Sequence, residues 1–310
     1  MGRKRMKVAL ALGGGGVRGL AHIGVIRALH EIGVHIDIIA GTSMGAMIGA
    51  QYALNPDINA IERRMLAMLD RKEVSAIEKL ISGYSPSDEK KLIIESLYSF
   101  VKQMVLVNVR AIKRWVFSGK EISWMFEHLE IDTDFKKLKI PFCCATVDLR
   151  TGQEVIISKG SLKEAVLASV SLPGVFPPVK SGKYLLVDGG IIGSVPVEAA
   201  RAMGADIVIA VGVEAQVDYN KKLGNGLDIM FQADAIRAWH LSDMKIKGAD
   251  LIIYPKVGNI SWASFSKANE CIKAGEEATR KMKGQILEVI RKKGKKKFWR
   301  GFFSLSRIDD

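Results

Sequence analysis

Short apolar runs alternate with segments of helical periodicity through most of this 310-residue chain. The apolar runs predict buried strands at 7–12, 36–40, 140–147, 154–158, 184–187, 206–213 and 251–254. Between them, apolar residues three and four apart predict helices at 20–29, 162–171, 195–203, 226–246 and 265–291. Because helices connect successive strands, the alternation predicts one α/β domain built around a mainly parallel sheet.

Residues 55–130 interrupt the alternation, since this stretch has helical texture and lacks the strand pattern. It predicts a helical insertion, for which two interpretations stay open. The helices pack on the sheet through apolar faces, or they form a cap over the functional site where aromatic and basic residues meet lipid. The aromatic residues concerned are Trp115, Phe117, Trp124 and Phe126.

The second predicted strand runs directly into a Gly-x-Ser-x-Gly pentapeptide, from Gly41 through Ser43 to Gly45. A helix is predicted to follow. A serine between a buried strand and a helix is the context of a nucleophile elbow, a sharp turn that exposes the hydroxyl. The small glycines let strand and helix approach closely, and the helix N-terminus favours an anion formed at the serine.

A glycine loop after the first strand contains Gly14, Gly15, Gly16 and Gly19. Its G-x-G-x-x-G spacing suggests a dinucleotide site, but the second strand ends in the serine turn and not in the acidic residue that binds ribose. A P-loop would need Gly-Lys-Ser/Thr. We expect the loop to offer free backbone N–H groups to an oxyanion. Arg18 within it is either a structural ion-pair residue or a group that holds the loop or an anionic head group.

No histidine is well placed as a base for Ser43: only His128 and His240 follow it, and neither lies in a strand-end loop where a triad histidine is usual. His22 is interpreted as a packing or hydrogen-bonding residue that fixes the glycine loop, with a general-base role as the alternative. Asp188 follows the strand at 184–187 and precedes Gly189 and Gly190. An aspartate at this position either stabilises a turn or supplies a carboxylate at the same edge of the sheet as Ser43. A carboxylate in a desolvated setting can have a pKa high enough to accept the serine proton. The histidines are His22, His30, His35, His128 and His240.

The formal net charge is +13, and seven basic residues lie in one run near the C-terminal end, within 285–310. Aromatic residues are interleaved with them: Phe298, Trp299, Phe302 and Phe303. This basic-aromatic tail is interpreted as a contact for an anionic membrane surface or as a disordered, solubilising segment. No specific nucleic-acid partner is expected.

Cysteine usage and hydropathy bear on the compartment. Cys143 and Cys144 are adjacent in an apolar run and are predicted to be core residues. With only Cys271 besides, no disulfide framework is indicated, which is typical of a reducing compartment. The sequence contains no apolar run of about 18 residues, so no transmembrane helix is predicted. We expect a cytoplasmic protein, peripheral at the inner face of the membrane if the tail binds there.

Taken together, the glycine loop, the Gly41–Gly45 pentapeptide and Asp188-Gly189-Gly190 resemble the motifs of the patatin-like phospholipase family, in the same order and at similar separations. The segment 171–179, rich in proline, is also similar to the family's stretch before Asp-Gly-Gly. The resemblance covers about 7–280. Ser194 is a departure, since many members carry asparagine at this position before the proline.

The resemblance implies a three-layer α/β/α sandwich and a serine acyl hydrolase that cleaves acyl esters of lipids without a metal or cofactor. It implies Ser43 as nucleophile and Asp188 as general base, with the oxyanion hole formed by the N–H groups of Gly14, Gly15 and Gly16. Arg18, Gly19, Gly41, Gly45, Gly189 and Gly190 would support these motifs. The alternative is a non-enzymatic regulator of the same fold that binds a lipid or a nucleotide.

Overall fold

The computed structural model describes residues 5–71, 74, 126–214, 226–258 and 260–305. Most of the predicted insertion, including Trp115, Phe117 and Trp124, therefore lies outside the described residues. Phe126 is described, and only 3% of its surface is exposed because it packs in the core. The packing interpretation holds at Phe126 and also at Ile61, Met65 and Met68, which are fully buried in the core.

Among the described residues, eight strands form one sheet, and the predicted runs supply seven of them. The strands are β1 Val8–Leu12, β2 Ile38–Gly41, β3 Phe142–Asp148, β4 Glu154–Ile157, β5 Val179–Ser181, β6 Tyr184–Asp188, β7 Ile207–Val211 and β8 Leu251–Ile253. The sheet order is β5-β6-β3-β2-β1-β7-β8, and β4 pairs with β3. Strands β3, β2, β1, β7 and β8 are parallel, whereas β4, β5 and β6 pair antiparallel. The mainly parallel sheet is confirmed.

Strand β5 is absent from the predicted pattern because its three residues, Val-Lys-Ser, form no apolar run. It pairs with β6 through a tight turn at Gly182, whose φ of +55° suits glycine. The proline-rich segment 171–179 thus leads into a hairpin. This hairpin leads the chain into the strand that carries Asp188.

Eight helices are described: α1 Ala21–Ile32, α2 Met44–Leu54, α3 Ile58–Leu69, α4 Leu162–Val170, α5 Val197–Ala202, α6 Gly226–Ile246, α7 Ala268–Lys281 and α8 Lys283–Leu305. The single closing helix predicted over 265–291 is wrong, because the chain turns at Met282 between α7 and α8. Beyond this break, Ile286 of α8 is fully buried in the core. The boundary predicted for the tail, at residue 285, falls inside α8.

Among the described residues, no helix is both long and apolar enough to cross a membrane.

Alternate residues of each central strand face two different helical layers, as the two-residue period of a strand requires. Leu10 and Leu12 of β1 face a large core with α1, α2, α3, α4 and α7. Ala9 and Ala11 face a smaller core with α5 and α6. Cys143 and Cys144 are fully buried, one in each core, as predicted. The three-layer α/β/α architecture is confirmed.

Helices α1 and α7 approach each other more closely than side chains would permit. A β-carbon built on Gly24 would lie 1.9 Å from the carbonyl oxygen of Ile272, and one on Gly275 would lie 2.0 Å from that of Ala21. Two glycines therefore face each other's helix backbone. This contact brings α7 against the helix that follows the glycine loop.

We expect Gly24→Ala to lower the free energy of unfolding by about 3 kcal/mol, because the new methyl meets backbone and not a movable side chain. Urea unfolding followed by circular dichroism measures this. Gly284→Ala is the control, since Gly284 is exposed on α8 and a β-carbon built on it would have no atom within 4 Å. Alanine there should change stability by about 1 kcal/mol or less. Equal effects of the two substitutions would contradict the close helix approach.

Candidate active site

Ser43 lies in a strained turn between the end of β2 and the start of α2. Its φ of 54° and ψ of −122° are unusual for a residue with a side chain, and such a conformation costs about 1–3 kcal/mol. A β-carbon on Gly41 would lie 2.6 Å from the carbonyl oxygen of Gly45, and one on Gly45 would lie 2.3 Å from that of Leu12. The two motif glycines are therefore required by the close crossing of strand and helix.

The backbone of Ser43 is held by a residue that the sequence patterns did not single out. The Ser43 N–H donates to the Ser169 hydroxyl at 3.0 Å, and that hydroxyl donates to the Ala145 carbonyl at 2.9 Å. Ser169 is fully buried near the end of α4. The only signal in the sequence was a hydroxyl residue at a core-facing position of an apolar helix.

Asp188 approaches Ser43 from the opposite direction, at the end of the antiparallel strand β6. In the sheet register Gly41 of β2 is opposite Cys144 of β3, and Asp188 is opposite Thr146 on the other side of β3. The ends of β2 and β6 thus lie within two residues of each other along β3. The register therefore brings the predicted pair, Ser43 and Asp188, to the same edge of the sheet.

The Asp188 carboxylate is almost completely buried, with 3% of the residue exposed. Burial raises its pKa to about 6, because a buried carboxylate loses its hydration. The Gly190 N–H, which donates to Oδ1 at 2.8 Å, and the Ser43 hydroxyl act in the opposite direction. This carboxyl group can therefore both release and accept a proton near neutral pH. Gly189 beside it packs on the Ala145 carbonyl.

The glycine loop lies against the Ser43 side chain. A β-carbon built on Gly14 would lie 3.0 Å from Ser43 Cβ and 3.8 Å from its Oγ. The Gly13 N–H pairs with Val211. Between it and Val17, the N–H groups of residues 14–16 donate to no backbone acceptor among the described residues outside regular helices and strands. The loop then enters a 3-10 turn, Gly16–Leu20, in which Gly19 packs on Met44.

The histidines near the loop have other contacts. His22 donates through Nε2 to the Gly13 carbonyl at 2.7 Å and is fully buried. Burial lowers its pKa to about 4, with the Gly13 contact acting in the opposite direction, so it is neutral at pH 7. His30 hydrogen-bonds to Tyr52, and His35 lies beside Asp37. His22 therefore orients the loop, and these hydrogen bonds and ion pairs join the three histidines to groups other than the candidate nucleophile.

Arg18 lies on the inner side of the loop and not on an exposed surface. Its Nε and one terminal nitrogen are buried without a hydrogen-bond partner among the described residues. Burial lowers its pKa from the usual value, and the charge of Glu214 opposes this effect.

A second group of buried polar residues, missed by the sequence patterns, connects the loop after Asp188 to the end of β7. Ser242 on α6 accepts from the Ser194 N–H at 3.1 Å and donates to Glu214 Oε1 at 2.9 Å. Ser194, which replaces the family's asparagine, is thus anchored through its backbone. These residues are far apart in the sequence, so no local pattern indicates their contact.

Asp37 does not occupy the position of the ribose-binding carboxylate that the dinucleotide interpretation requires. Asp37 precedes β2, at the strand end away from Ser43, where it accepts the Val8 N–H at 2.9 Å and pairs with Arg5. It therefore joins β1 to β2 and is not at the carboxyl edge of the sheet, where a nucleotide would bind.

Comparison with known proteins gives the family. The sequence profile described as patatin-like phospholipase matches residues 10–201. The chain is 31% identical over 236 residues to patatin-like phospholipase domain-containing protein 7 of Rattus norvegicus, covering 76% of this chain and 15% of that protein. It is 29% identical over 233 residues to lysophospholipase nte1 of Emericella nidulans, covering 75% of this chain and 13% of that protein. The chain therefore spans less than a sixth of these relatives.

Among solved structures, VipD from Legionella pneumophila matches with a TM-score of 0.49 and 16% identity, over 91% of this chain and 67% of that one. The resemblance drawn from the motifs is confirmed by the family profile, which covers 10–201 of the 310 residues and includes both Ser43 and Asp188. The chain belongs to the patatin-like phospholipase family.

Proposed function

We propose that this protein hydrolyses fatty-acyl esters of lipids, with Ser43 as nucleophile and Asp188 as general base. The approach of Ser43 to the buried Asp188 at one edge of the sheet, where the hydroxyl acts on the pKa of the carboxyl, is the observation that supports this most directly. A nucleophile and a base within hydrogen-bond reach are what covalent catalysis by serine needs. The strained backbone of Ser43 is a second support, since strain of this kind is common at active sites.

In the first half-reaction, Ser43 Oγ attacks the ester carbonyl carbon while its proton passes to the Asp188 carboxylate. The carbonyl oxygen becomes an oxyanion, for which the N–H groups of Gly14, Gly15 and Gly16 are the proposed donors. The intermediate then breaks its bond to the alcohol, which leaves with the proton from Asp188. An acyl-enzyme on Ser43 remains.

In the second half-reaction, Asp188 takes a proton from water as that water attacks the acyl-enzyme. A second oxyanion forms in the same loop and collapses to release the fatty acid, and Ser43 Oγ recovers its proton from Asp188. The same carboxyl group therefore gains and loses a proton in each half. A pKa near 6 suits this role better than the ordinary value of an aspartate.

A lipid substrate is supported by the family name and by the name of the fungal relative, a lysophospholipase. The proposed steps use no metal or cofactor. The alternative, a regulator that binds lipid or nucleotide without hydrolysis, would not need a serine strained against a buried carboxylate. Labelling by a fluorophosphonate separates the two possibilities, because the probe reacts only with an activated serine.

We expect Ser43→Ala to abolish fluorophosphonate labelling and to lower kcat for a p-nitrophenyl ester by about 10⁴-fold or more. Asp188→Asn should lower kcat by about 10²–10⁴-fold, because the amide cannot accept the serine proton. Labelling of Ser43→Ala equal to wild type would remove the nucleophile assignment. Unchanged turnover by Asp188→Asn would remove the base.

The Asp188→Asn variant should also differ from wild type in the pH dependence of its stability. Burial of the charged form costs free energy at pH values above the folded pKa of about 6. The amide carries no charge, so at pH 7.5 this variant should unfold at a urea concentration equal to or higher than wild type. The stabilisation should shrink as pH falls below about 6 and vanish below about 3.8, where the wild-type carboxyl is protonated in both the folded and the unfolded state.

We expect kcat/KM for a neutral ester to fall as pH decreases through about 6, since a protonated Asp188 cannot accept the Ser43 proton. A rate profile from pH 4.5 to 8.5 measures the midpoint. Because carboxyl ionisation has a small enthalpy and imidazole ionisation a large one, the midpoint should barely move between 10 and 35 °C. A strong temperature dependence would indicate a histidine base instead.

We also propose that the C-terminal part of α8 binds an anionic membrane surface. The helix begins at Lys283 and continues to Leu305, and the run of basic and aromatic residues lies within its sequence. Its first turns belong to the folded domain, because Ile286 is buried and Lys293 pairs with Asp250 at 2.6 Å. The part that follows Gly294 is the proposed membrane contact.

Neutralising four basic residues of this part, Lys295, Lys296, Lys297 and Arg300, to glutamine should weaken binding to anionic vesicles by at least about 100-fold, at roughly 1 kcal/mol each. Sedimentation with phosphatidylserine-containing vesicles measures this. Four exposed lysines elsewhere provide a control of equal charge: Lys136, Lys137, Lys159 and Lys180. Equal losses in the two variants would mean general charge attraction and would contradict a specific contact.

A further inference from the structure

The C-terminal turn of α4 contacts the backbones of both Ser43 and Asp188. Ser169 Oγ accepts the Ser43 N–H at 3.0 Å, and the Ser171 carbonyl accepts the Asp188 N–H at 3.0 Å. Both serines are fully buried. We propose that the Ser169 side chain and the backbone carbonyl of residue 171 position the two reacting side chains relative to each other, with Ser169 as the positioning residue for the nucleophile.

The orientation of the Ser169 hydroxyl is fixed by its second partner. Its proton is donated to the Ala145 carbonyl at 2.9 Å, which leaves an oxygen lone pair for the Ser43 N–H. A hydroxyl with one proton and two lone pairs satisfies both contacts at once. Alanine at this position would leave the N–H of the strained turn buried without an acceptor, a costly arrangement.

The same hydrogen-bond chain ends next to Asp188. Ala145 precedes Thr146, which is opposite Asp188 in the β3–β6 register. The Ala145 carbonyl also lies where a β-carbon on Gly189 would be only 2.7 Å away. Ser43, Ser169, Ala145 and the Asp188–Gly189 turn are therefore in one contiguous set of contacts. Loss of the Ser169 hydroxyl breaks this set on the nucleophile side alone.

This inference rests on the proposed nucleophile, and it also limits the oxyanion hole. The Ser43 N–H is occupied by Ser169 and is not free to stabilise an oxyanion. The donors must come from other N–H groups, and those of the glycine loop lie against the Ser43 side chain. Ser169 acts on the reaction only through the position of Ser43.

The experiment compares two buried serines two residues apart. Ser169→Ala removes the acceptor for Ser43. Ser171→Ala is the matched control, because its hydroxyl donates to the Leu167 carbonyl at 2.8 Å within the same segment, while its own backbone carbonyl still accepts from Asp188. Both variants are made in the full chain, and activity is referred to the folded fraction. The measurements are the rate constant of fluorophosphonate labelling, kcat and KM for a p-nitrophenyl ester, and the thermal midpoint.

We expect Ser169→Ala to lower the labelling rate and kcat by about 10- to 100-fold, since small displacements of a reacting group have effects of this size. KM should stay within about twofold, because no substrate contact is removed. Ser171→Ala should keep the labelling rate and kcat within about threefold of wild type. This should hold even if its thermal midpoint falls as far as that of Ser169→Ala. Ser169→Cys, which retains only a weak sulfur acceptor, should lie between wild type and Ser169→Ala.

Equal labelling rates in Ser169→Ala and Ser171→Ala would overturn the positioning role while leaving the proposed nucleophile intact. If wild type itself is not labelled at Ser43, the proposed function fails, and the inference fails with it. If Ser169→Ala does not fold, Ser169→Cys takes its place in the comparison with Ser171→Ala. A Ser169→Cys rate equal to that of Ser171→Ala would then overturn the inference.

Discussion

Strand β2 and helix α2 cross so closely at Ser43 that no side chain fits between Gly41 and the first turn of the helix. The chain satisfies this constraint by placing Ser43 at φ 54°, a conformation that side-chain-bearing residues rarely adopt. Neighbouring contacts offset the cost. The Thr42 N–H pairs with Leu12, the Ser43 N–H pairs with Ser169, and the Ser43 carbonyl accepts from the first turn of α2. These contacts hold the turn in its strained conformation.

Burial of Asp188 is the second constraint, and it acts on chemistry as well as stability. A carboxylate that loses its hydration is costly in its charged form, and the Gly190 N–H and the Ser43 hydroxyl offset only part of that cost. The remaining cost is expressed as a pKa of about 6. The folded protein is therefore less stable when this group is charged, which is the form that the proposed reaction requires. Strain at Ser43 and desolvation at Asp188 therefore both lower the stability of the folded protein, and both lie in the candidate active site.

The antiparallel strand β6 makes the pair possible. Parallel strands deliver their carboxyl ends to one edge of the sheet, which accounts for the glycine loop after β1 and Ser43 after β2. Asp188 arrives on a strand that runs the opposite way, and it meets that edge only because the register of β6 on β3 stops at Thr146. The hairpin of β5 and β6 and the end of α4 fix that register. A contact across the sheet is thus set by elements more than a hundred residues after the nucleophile.

Periodicity and motif glycines are local properties, so they were enough to predict the alternation of strands and helices, the α/β class, the buried cysteines and the family. They also brought Ser43, Asp188 and the glycine loop forward as candidates. The hairpin strand β5, the break at Met282, and the contacts of Ser169, Ser242 and Glu214 became evident only in the folded chain. Residues distant in sequence meet there through packing, and no local pattern encodes that meeting. The raised pKa of Asp188 is of the same kind, since burial is a property of the folded chain and not of the residue.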